Sequence, residues 1–339
     1  GRAAALDDLY ELSDLCEARY RGRDGDQEAA EDACRRLVGE SPRYLSWPAD
    51  RQVLLRSTAA LLPDVVIAQH GGHGKFYSFR ESGWRGIVAA RSAAEADQLL
   101  QAIHPERLAA PSREHALRHA RNAIWAIPDP RDARRKLVIK QPVKMHLHKR
   151  VLDRFKPSKG LRSWNGTNEL LRRGVAAAAP VAWFERCDDA SLMRNFYVCE
   201  HVPAESTTRE MIGAFSAGEK VFAGVEEEAA YALLARYLLR MHGGGIMFRD
   251  LSGGNILISR GADGQVMFSL IDTGRIRVLP APLTLQERFT DLVRICNKMR
   301  PASRERFLAI YLAALKERLH WWQRLRFIAY DAKVVAKRR

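Results

Sequence analysis

The sequence predicts an α+β protein with two lobes, a small antiparallel β lobe followed by a helical lobe, behind an N-terminal α/β extension. Two observations predict this class. Strand-like runs and one amphipathic helix alternate between about residues 111 and 205, and helical periodicity dominates between 206 and 339. Residues 1–110 mix helical and strand-like segments and form the extension. The predicted boundaries therefore lie near residues 110 and 205.

The β lobe is predicted from a hairpin, a helix and a further strand. RNAIWAI (121–127) and KLVIKQ (136–141) are the hairpin strands, joined by a turn at PDPRDARR (128–135). SWNGTNELLRRG (163–174) is the helix, which ends at its last glycine. NFYVCEHV (195–202) is the final strand, and it leads into the connection to the second lobe.

The helical lobe is predicted from amphipathic periodicity that one hairpin interrupts. EEEAAYALLARYLLRMH (226–242) has the period of a long amphipathic helix. ILIS (256–259) and VMFSLI (266–271) are two short strands around the turn GADG (261–264), which predicts a β-hairpin. Residues 285–339 are predicted to be helices.

The extension is predicted to hold two amphipathic helices over residues 3–38, strands near VVIAQ (65–69), KFYSF (75–79) and GIVAA (86–90), and the helix SAAEADQLLQAI (92–103), capped by its serine. Its function is not predicted from these patterns.

GGHGKF, residues 71–76, resembles a phosphate-binding loop but lacks two of its features. That loop needs a glycine five residues before the glycine of its Gly-Lys pair and a Ser or Thr after the lysine, whereas this chain has Gln69 and Phe76 there. A hairpin turn is therefore predicted.

The amino-acid composition limits the classes of partner and site that are expected. The 339 residues carry 55 Lys and Arg against 40 Asp and Glu, a net charge of +15. This excess indicates an anionic partner, whether nucleotide phosphates, an acidic membrane face, a phosphorylated glycan or nucleic acid. No nucleic-acid-binding motif appears. Five scattered cysteines without a CxxC pair argue against a metal cluster or disulfide framework and favour a reducing compartment such as the cytoplasm.

The chemistry is concentrated in HGGGIMFRDLSGGNILIS (242–259) and LIDTG (270–274). Phosphoryl transfer needs a carboxylate that receives the acceptor proton and oxygen ligands that hold a metal against the phosphates. Asp250 lies in a loop, where it can meet a hydroxyl, and Asn255 follows five residues later. Asp272 ends the returning hairpin strand, so Asn255 and Asp272 are predicted to bind one Mg²⁺.

Upstream residues fit a nucleotide site. Lys140 ends a strand and Glu169 lies in a helix, and their pairing would orient the lysine towards the phosphates of ATP. Glu200 begins the connection between the lobes, where adenine is expected. Because no glycine-rich loop precedes Lys140, Arg118 or Arg121 is expected to cover the phosphates. This order of residues is typical of the protein-kinase-like fold.

Over about residues 115–339 the chain resembles the lipopolysaccharide kinases, which phosphorylate sugars of the bacterial lipopolysaccharide core. The resemblance rests on LVIK (137–140), NELLRRGVAAAAPVAWFE (168–185), the loop of Asp250, SLIDTGR (269–275) and the closing helical segment. It implies ATP and Mg²⁺ as cofactors and a sugar or glycolipid acceptor. It also implies the same roles for the residues named above, namely Lys140 and Glu169 as the nucleotide ion pair, Asp250 as the catalytic carboxylate, and Asn255 and Asp272 as metal ligands.

The chain departs from the kinase pattern in two side chains. Phe248 replaces the histidine of H-R-D, and Thr273 replaces the apolar residue of D-F-G. The segment after Asp272 is short and lacks A-P-E, and Ser252 replaces the lysine common in serine/threonine kinases; both features favour a small acceptor. Three alternatives stay open: a protein or other small-molecule kinase, a non-catalytic pseudokinase scaffold, and a nucleic-acid binder.

Two segments concentrate positive charge. Residues 144–162 hold seven basic residues and one acid, and residues 316–339 hold eight basic residues and two acids, so each has a net charge of +6. In the second, aromatic residues are interleaved with the charge, which favours an anionic membrane surface, on the inner face of the cytoplasmic membrane, or phosphorylated glycolipid. A solvated helix whose aromatic residues pack inward explains the pattern equally well.

Overall fold

The protein is described by a computed structural model over residues 76–145, 156–189, 192–261 and 264–336. The predicted helices within 3–38, the strand at 65–69, nearly all of the turn at 71–76 and most of the first basic segment lie outside these residues.

The described residues contain seven helices and fourteen strands. The helices are α1 (Ala93–Ile103), α2 (Lys159–Arg172), α3 (Thr208–Ala217), α4 (Glu227–Gly243), α5 (Leu285–Ile295), α6 (Pro301–Ala313) and α7 (Trp321–Ala336). The strands are β1 (Phe76–Glu81), β2 (Trp84–Ala89), β3 (Arg118–His119), β4 (Asn122–Asp129), β5 (Asp132–Pro142), β6 (Pro180–Arg186), β7 (Asn195–Glu200), β8 (Ser206–Thr207), β9 (Val221–Phe222), β10 (Val225–Glu226), β11 (Ile246–Phe248), β12 (Ile256–Arg260), β13 (Val266–Leu270) and β14 (Ile276–Val278).

The chain forms two compact units. The sheet unit comprises the described residues from 76 to 161 together with 181–199, and the helical unit comprises 162–180 and the described residues from 200 onward. One unit is built on a sheet and the other mainly on helices, which confirms the predicted α+β class. No helix among the described residues has the length and apolarity needed to cross a bilayer.

The sheet unit contains a seven-stranded sheet in the order β1-β2-β6-β7-β5-β4-β3. The pairs β1–β2, β2–β6, β3–β4 and β4–β5 are antiparallel. Strands β1 and β2 come from the predicted extension, yet β2 pairs with β6, with Trp84 opposite Arg186. The sheet therefore continues across the boundary predicted at residue 110.

Helix α1 covers part of this sheet and confirms the predicted capping. The Ser92 hydroxyl accepts the backbone N–H of Glu95 at 3.2 Å, which satisfies one of the amide groups that a helix start leaves unbonded. Leu99 and Ile103 are fully buried in one cluster with Val88 of β2 and Leu137 of β5. Burial of this apolar face holds the helix against the sheet.

The predicted turn at 128–135 is wrong in length, because β4 continues to Asp129 and β5 begins at Asp132. The buried Asp129 carboxylate accepts hydrogen bonds from Nε and Nη2 of Arg131 at 2.9 and 2.8 Å. Burial raises the pKa of Asp129, but its hydrogen bonds with Arg131 outweigh that effect, and the net pKa is lowered. This ion pair closes a tight turn that is shorter than the predicted one.

Two other local differences appear in the same region. Strand β6 was not predicted as a separate element. Helix α2 begins at Lys159, four residues before the predicted start, and ends at Arg172. Gly174 follows it with φ of +66°, a left-handed conformation that favours glycine, as the prediction of a glycine stop requires.

The helical unit is organised around α4, which packs on α6. Its fully buried residues include Leu234 and Leu238 of α4 and Phe307 of α6, together with Phe289 of α5. The predicted hairpin is confirmed, with Ile256 opposite Leu270 in the β12–β13 pair. Strand β8 extends this hairpin to three strands, and β11 pairs separately with β14.

Candidate active site

The loop that carries Asp250 is anchored on both sides by buried apolar residues. Strand β11 is buried and ends at Phe248, and Leu251 is buried just after the aspartate. The Leu251 N–H donates to the Phe248 carbonyl at 2.8 Å, which makes a tight turn around Arg249 and Asp250. Because its neighbours are fixed in the core, the partly exposed Asp250 carboxylate is presented at the surface of the helical unit. Phe248 itself is fully buried and fills its position by packing.

Asn255 connects this loop to the end of the hairpin. Its side-chain Nδ2 donates to the Asp250 carbonyl at 2.9 Å, and its own carbonyl accepts the Ile271 N–H at 3.0 Å. Because the amide nitrogen bonds the main chain, the side-chain Oδ1 is the Asn255 atom that could bind a cation. Asp272 follows Ile271 directly, so the structure brings the loop of Asp250 and Asn255 together with the segment of Asp272.

Asp272 adopts a strained backbone conformation. Its φ of +59° and ψ of +45° are left-handed, a region that few residues other than glycine occupy and that Asp tolerates better than most. A short 3₁₀ turn, Thr273–Arg275, follows, closed by a hydrogen bond from the Ile276 N–H to the Thr273 carbonyl. Strain of this kind persists where the surrounding structure enforces it, and it concentrates at functional sites.

Helix α2 provides that enforcement. The buried Thr273 Oγ1 lies 2.9 Å from the Ser163 carbonyl and 2.6 Å from Thr167 Oγ1, which also lies 2.9 Å from that carbonyl. A Cβ on Gly166 would lie 2.4 Å from the Thr273 carbonyl oxygen. The missing side chain at Gly166 therefore lets the D-T-G segment lie against the helix. Two hydroxyl groups take the place of the apolar contact expected for D-F-G.

The Asp250 carboxylate has an ion-pair partner that was not predicted. Nη1 of Arg275 lies 3.2 Å from Asp250 Oδ2, and the Arg275 side chain is more than half exposed. Arg275 belongs to the SLIDTGR motif, so its position three residues after Asp272 was the available signal. The contact orients one carboxylate oxygen and leaves Oδ1 as the atom that can meet an acceptor.

A buried polar group supports the loop from within the core. The Asp291 carboxylate of α5 accepts the Phe248 N–H, and its Oδ2 lies 3.5 Å from Nε2 of His242. Nδ1 of His242 lies 2.6 Å from the Tyr311 hydroxyl, to which Arg288 donates at 3.1 Å. This cluster was not predicted, and the signal was an aspartate at a buried position of the amphipathic α5.

Burial sets the protonation of this cluster. Burial lowers the pKa of His242, and the hydrogen bond and charge of Asp291 oppose that effect only in part. Burial likewise raises the pKa of Tyr311 to about 12. With Arg288 donating to the Tyr311 oxygen, the Tyr311 proton points to His242 Nδ1, so the neutral imidazole carries its hydrogen on Nε2, towards Asp291.

The two glycines after Ser252 allow α3 to approach the loop. A Cβ on Gly253 would lie 2.7 Å from the backbone nitrogen of Arg209, and one on Gly254 would lie 2.7 Å from Nη2 of the same residue. Arg209 therefore lies directly on the loop that carries Asp250, and its guanidinium adds positive charge there.

The predicted nucleotide residues are distributed over both units. Lys140 is half-buried in β5, opposite Ile124 of β4. Glu169 is half-buried in α2 and forms ion pairs with Arg172, at 3.6 Å, and with Arg173. The proposed pairing of Lys140 with Glu169 stays a prediction.

The remaining predicted nucleotide residues lie at strand ends. Glu200 ends β7, and its N–H donates to the Ala179 carbonyl at 2.8 Å. Arg118 is exposed in β3, and Arg121 is exposed in the turn before β4. A short hairpin therefore stands where a glycine-rich loop is usual, and the predicted contacts of these residues with nucleotide stay predictions.

The oxygen donors suit magnesium bound together with phosphate. Within the described residues no group of three or more His, Cys, Asp and Glu side chains is placed to hold a metal. Mg²⁺ is usually bound through one or two carboxylates, with substrate phosphates and water completing its octahedral shell. Asp272 and the Oδ1 atom of Asn255 fit that mode.

Several solved structures are similar to this chain. One is "WaaP in complex with acyl carrier protein", at 18% sequence identity and a TM-score of 0.46, over 69% of this chain and 90% of that chain. A second is the Rio2 kinase–ADP/Mg²⁺–phosphoaspartate complex from Chaetomium thermophilum, at 15% identity and a TM-score of 0.38, over 91% and 96%. A third is a Stt7 homolog from Micromonas algae soaked with ATP, at 14% identity and a TM-score of 0.37, over 58% and 73%.

No protein-family model matches the chain, and no curated protein matches it. WaaP and the Rio2 kinase are among the similar structures, as the predicted resemblance to lipopolysaccharide kinases with a protein-kinase-like fold leads us to expect.

Proposed function

We propose that the protein is an ATP-dependent phosphotransferase that moves the γ-phosphate to a sugar hydroxyl, on a lipopolysaccharide core or a similar glycolipid. The observation that carries the proposal is the pair of hydrogen bonds made by Asn255, to the Asp250 carbonyl and from the Ile271 N–H. They hold the candidate base, Asp250, and the two candidate metal ligands, Asn255 and Asp272, in one corner of the helical unit.

Each residue of this corner has a role in the proposal. Asp250 Oδ1 accepts the proton of the acceptor hydroxyl, while Arg275 holds Oδ2 and restricts rotation of the carboxylate. Asn255 Oδ1 and the Asp272 carboxylate hold the metal. When bound, Mg-ATP supplies the transferable phosphoryl group and a divalent charge that stabilises it. The strained backbone of Asp272, enforced by α2, orients its carboxylate before any ligand binds.

The nucleotide contacts complete the proposal. Lys140 is assigned to the ATP phosphates, with Glu169 orienting its ammonium group. Glu200 marks the segment whose backbone would hold adenine. Arg118 and Arg121 are assigned to the phosphates, where they would replace backbone amides of a glycine-rich loop.

A small acceptor is supported by the length of the segment after Asp272. Between Asp272 and Thr284 the regular elements are a 3₁₀ turn and strand β14. The Thr284 hydroxyl accepts the Glu287 N–H and caps α5. A protein kinase needs a long activation segment in this place to bind a peptide. The excess of basic residues supports a phosphorylated or otherwise anionic acceptor, met at an acidic membrane surface on the cytoplasmic side.

The test is phosphate transfer from radiolabelled Mg-ATP by the full chain, offered separately to a lipopolysaccharide-type glycolipid, to free sugars and to a protein mixture. We expect label in the glycolipid. Asp250→Ala should lower kcat by about 10²–10⁴-fold through loss of the base, and Asp272→Ala should abolish transfer. Glu305→Gln is the matched control, because Glu305 is an exposed acid paired only with the surface Arg324 in the described residues.

The outcomes separate the alternatives. Label in protein alone would identify a protein kinase. Absence of any thermal shift with Mg-ATP, together with absence of transfer, would identify a non-catalytic scaffold. Full activity in Asp250→Ala or Asp272→Ala would contradict the proposed roles.

A further inference from the structure

Helix α7 has an apolar face that points outward. Three of its large apolar side chains are strongly exposed: Trp321 is 72% exposed, Leu325 51% and Ile328 62%. Their spacing of four and three residues places them on one side of the helix. Ala329, Ala332 and Ala336 are exposed on the same side. Arg324 lies at the edge of this side, and no other charged residue is exposed among the described side chains of α7.

The opposite face of α7 already has a partner. Phe327 is almost fully buried and Trp322 partly buried, and both rings contact Phe289 of α5, with centroids 5.9 and 6.3 Å apart. Core packing is therefore complete without the outward residues.

Polar side chains of α7 are also used inward. Arg326 donates to the Gln286 carbonyl and to Thr290 Oγ1 of α5, each at 3.1 Å. Asp331 accepts from Arg304 Nη1 at 2.9 Å and from Asn297 Nδ2 at 2.7 Å. A helix on a water-facing surface normally has the reverse arrangement, with polar residues outward. The outward apolar face is thus unexplained by the fold.

Basic residues flank this face. Lys316 and Arg318 are exposed just before the helix, with the exposed Glu317 between them, and the sequence continues after the helix with Lys337, Arg338 and Arg339. Arg324 forms a surface ion pair with Glu305 at 3.4 Å, so it contributes less net charge. Positive charge beside an apolar face that begins with tryptophan is complementary to an anionic bilayer surface.

The size of the face argues for a membrane over a second copy of the chain. Three large side chains at these exposures offer on the order of 400 Å², whereas each partner in a standard protein interface buries about 800 Å². A bilayer interface needs no complementary surface, because insertion of a few apolar side chains and attraction of basic residues act together.

We propose that the outward face of α7, formed by Trp321, Leu325 and Ile328, docks on a membrane surface rich in anionic phospholipid. This surface gives the membrane association in the proposed function a location on the molecule. Because α7 packs on α5, and α5 holds the Phe248 backbone through Asp291, docking would hold the Asp250 loop in a constant orientation to the membrane.

The test is flotation of the full chain, without nucleotide, with vesicles of phosphatidylcholine alone or mixed with phosphatidylglycerol, at low and high salt. We expect binding to the mixed vesicles that weakens with salt. The combined variant Trp321→Ser, Leu325→Ser, Ile328→Ser should bind on the order of a hundredfold more weakly. Lys316→Gln and Arg318→Gln should each weaken binding about fivefold.

The matched control is Val221→Ser combined with Met267→Ser, which removes apolar side chains that are 49% and 48% exposed elsewhere in the helical unit. The control should bind as the wild type does, and circular dichroism should show every variant folded. Three results would overturn the proposal: no vesicle binding by the wild type, equal binding by the triple variant, or a wild-type dimer that the triple variant converts to monomer.

Absence of nucleotide keeps this test separate from phosphotransfer. A chain that binds vesicles but transfers no phosphate would retain the docking surface and lose the proposed activity. A chain that transfers phosphate but binds no vesicles would retain the proposed activity and lack the docking surface.

Discussion

The backbone N–H of Phe248 donates to the Asp291 carboxylate at 2.6 Å, and both residues are fully buried. A charge-assisted bond of this kind is stronger than a neutral one, and it is formed between two segments 43 residues apart. It fixes the main chain two residues before Asp250. The core of the helical unit thereby determines the position of the candidate base.

Replacement of Asp291 tests this support. Asp291→Ala should lower the free energy of unfolding by about 3 kcal/mol, because it leaves the Phe248 N–H buried and unbonded. Asp291→Asn retains an acceptor oxygen and should cost about half as much. Urea denaturation measures both. Asp188→Ala, at an exposed ion pair with Arg186, is the control and should change stability little. An Asp291→Ala variant as stable as the wild type would refute the role.

Stability should depend on pH through His242. Burial, opposed only in part by Asp291, lowers its pKa below the ordinary 6.5, so the folded state keeps the imidazole neutral while the unfolded chain takes up a proton. The contribution of neutral His242 to the free energy of unfolding is fully present above about pH 6.5. Below that pH the free energy of unfolding should fall by about 1.4 kcal/mol per pH unit, until the folded-state pKa is reached.

The measurement is urea unfolding at several pH values between neutrality and mild acid, for the wild type and for His242→Gln. The variant cannot take up this proton, so its stability should fall less steeply as the pH decreases, even if its stability at neutral pH is lower. Identical slopes for the two proteins would show that His242 is not held neutral.

Replacement of two helical glycines by alanine should change the stability of the protein in opposite directions. A Cβ at Gly166 would lie 2.4 Å from the Thr273 carbonyl, a backbone atom that cannot move without α2 or the D-T-G segment moving. Gly166→Ala should therefore destabilise the protein by about 1–3 kcal/mol. Gly213 in α3 is exposed, with nothing within 4 Å of a Cβ, and Gly213→Ala should stabilise by about 0.5–1 kcal/mol. Thermal unfolding distinguishes the signs.

The adjacent glycines Gly253 and Gly254, in the loop that carries Asp250, offer a second contrast. A Cβ at Gly253 would meet the backbone nitrogen and Cα of Arg209 at 2.7 and 2.9 Å, whereas a Cβ at Gly254 would meet the guanidinium end of that side chain. A flexible side chain can move away and a helix start cannot. Gly253→Ala should therefore lower stability by about 2 kcal/mol and Gly254→Ala by less than about 1 kcal/mol. Equal losses in thermal unfolding would contradict this packing.

Much of the candidate site was predictable because it is local in the chain. Asp250 and Asn255 lie in one loop, and a single hairpin with a glycine-containing turn returns the chain to Asp272. Alternation of apolar residues identifies such a hairpin, and its turn sets the register, so the ends of the two strands must meet. The roles of Lys140 and Glu169 depend on longer-range contacts, and these stay predictions.

The partners of these residues left only weak signals in the local sequence, and they were not predicted. In the sequence, Asp291 is one of the acidic residues of an amphipathic helix. Arg275 is likewise one of many basic residues in the chain. The strands β1 and β2 lie in the predicted extension, and no local pattern indicated that β2 pairs with β6. Pairing between strands about a hundred residues apart leaves no periodicity in either strand that identifies its neighbour.

The amino-acid sequence by itself determined the α+β class, the long helix α4, the β12–β13 hairpin, and the spacing that joins the loop of Asp250 and Asn255 to the segment of Asp272, because periodicity and turn residues act over a few positions. Tertiary structure alone decided which carboxylate is buried beneath Phe248 and which face of α7 is turned outward. Helix α7 has apolar residues on two sides, and periodicity cannot say which side is buried. That choice is made by the surface of α5, where Phe289 contacts Trp322 and Phe327 and leaves Trp321 exposed.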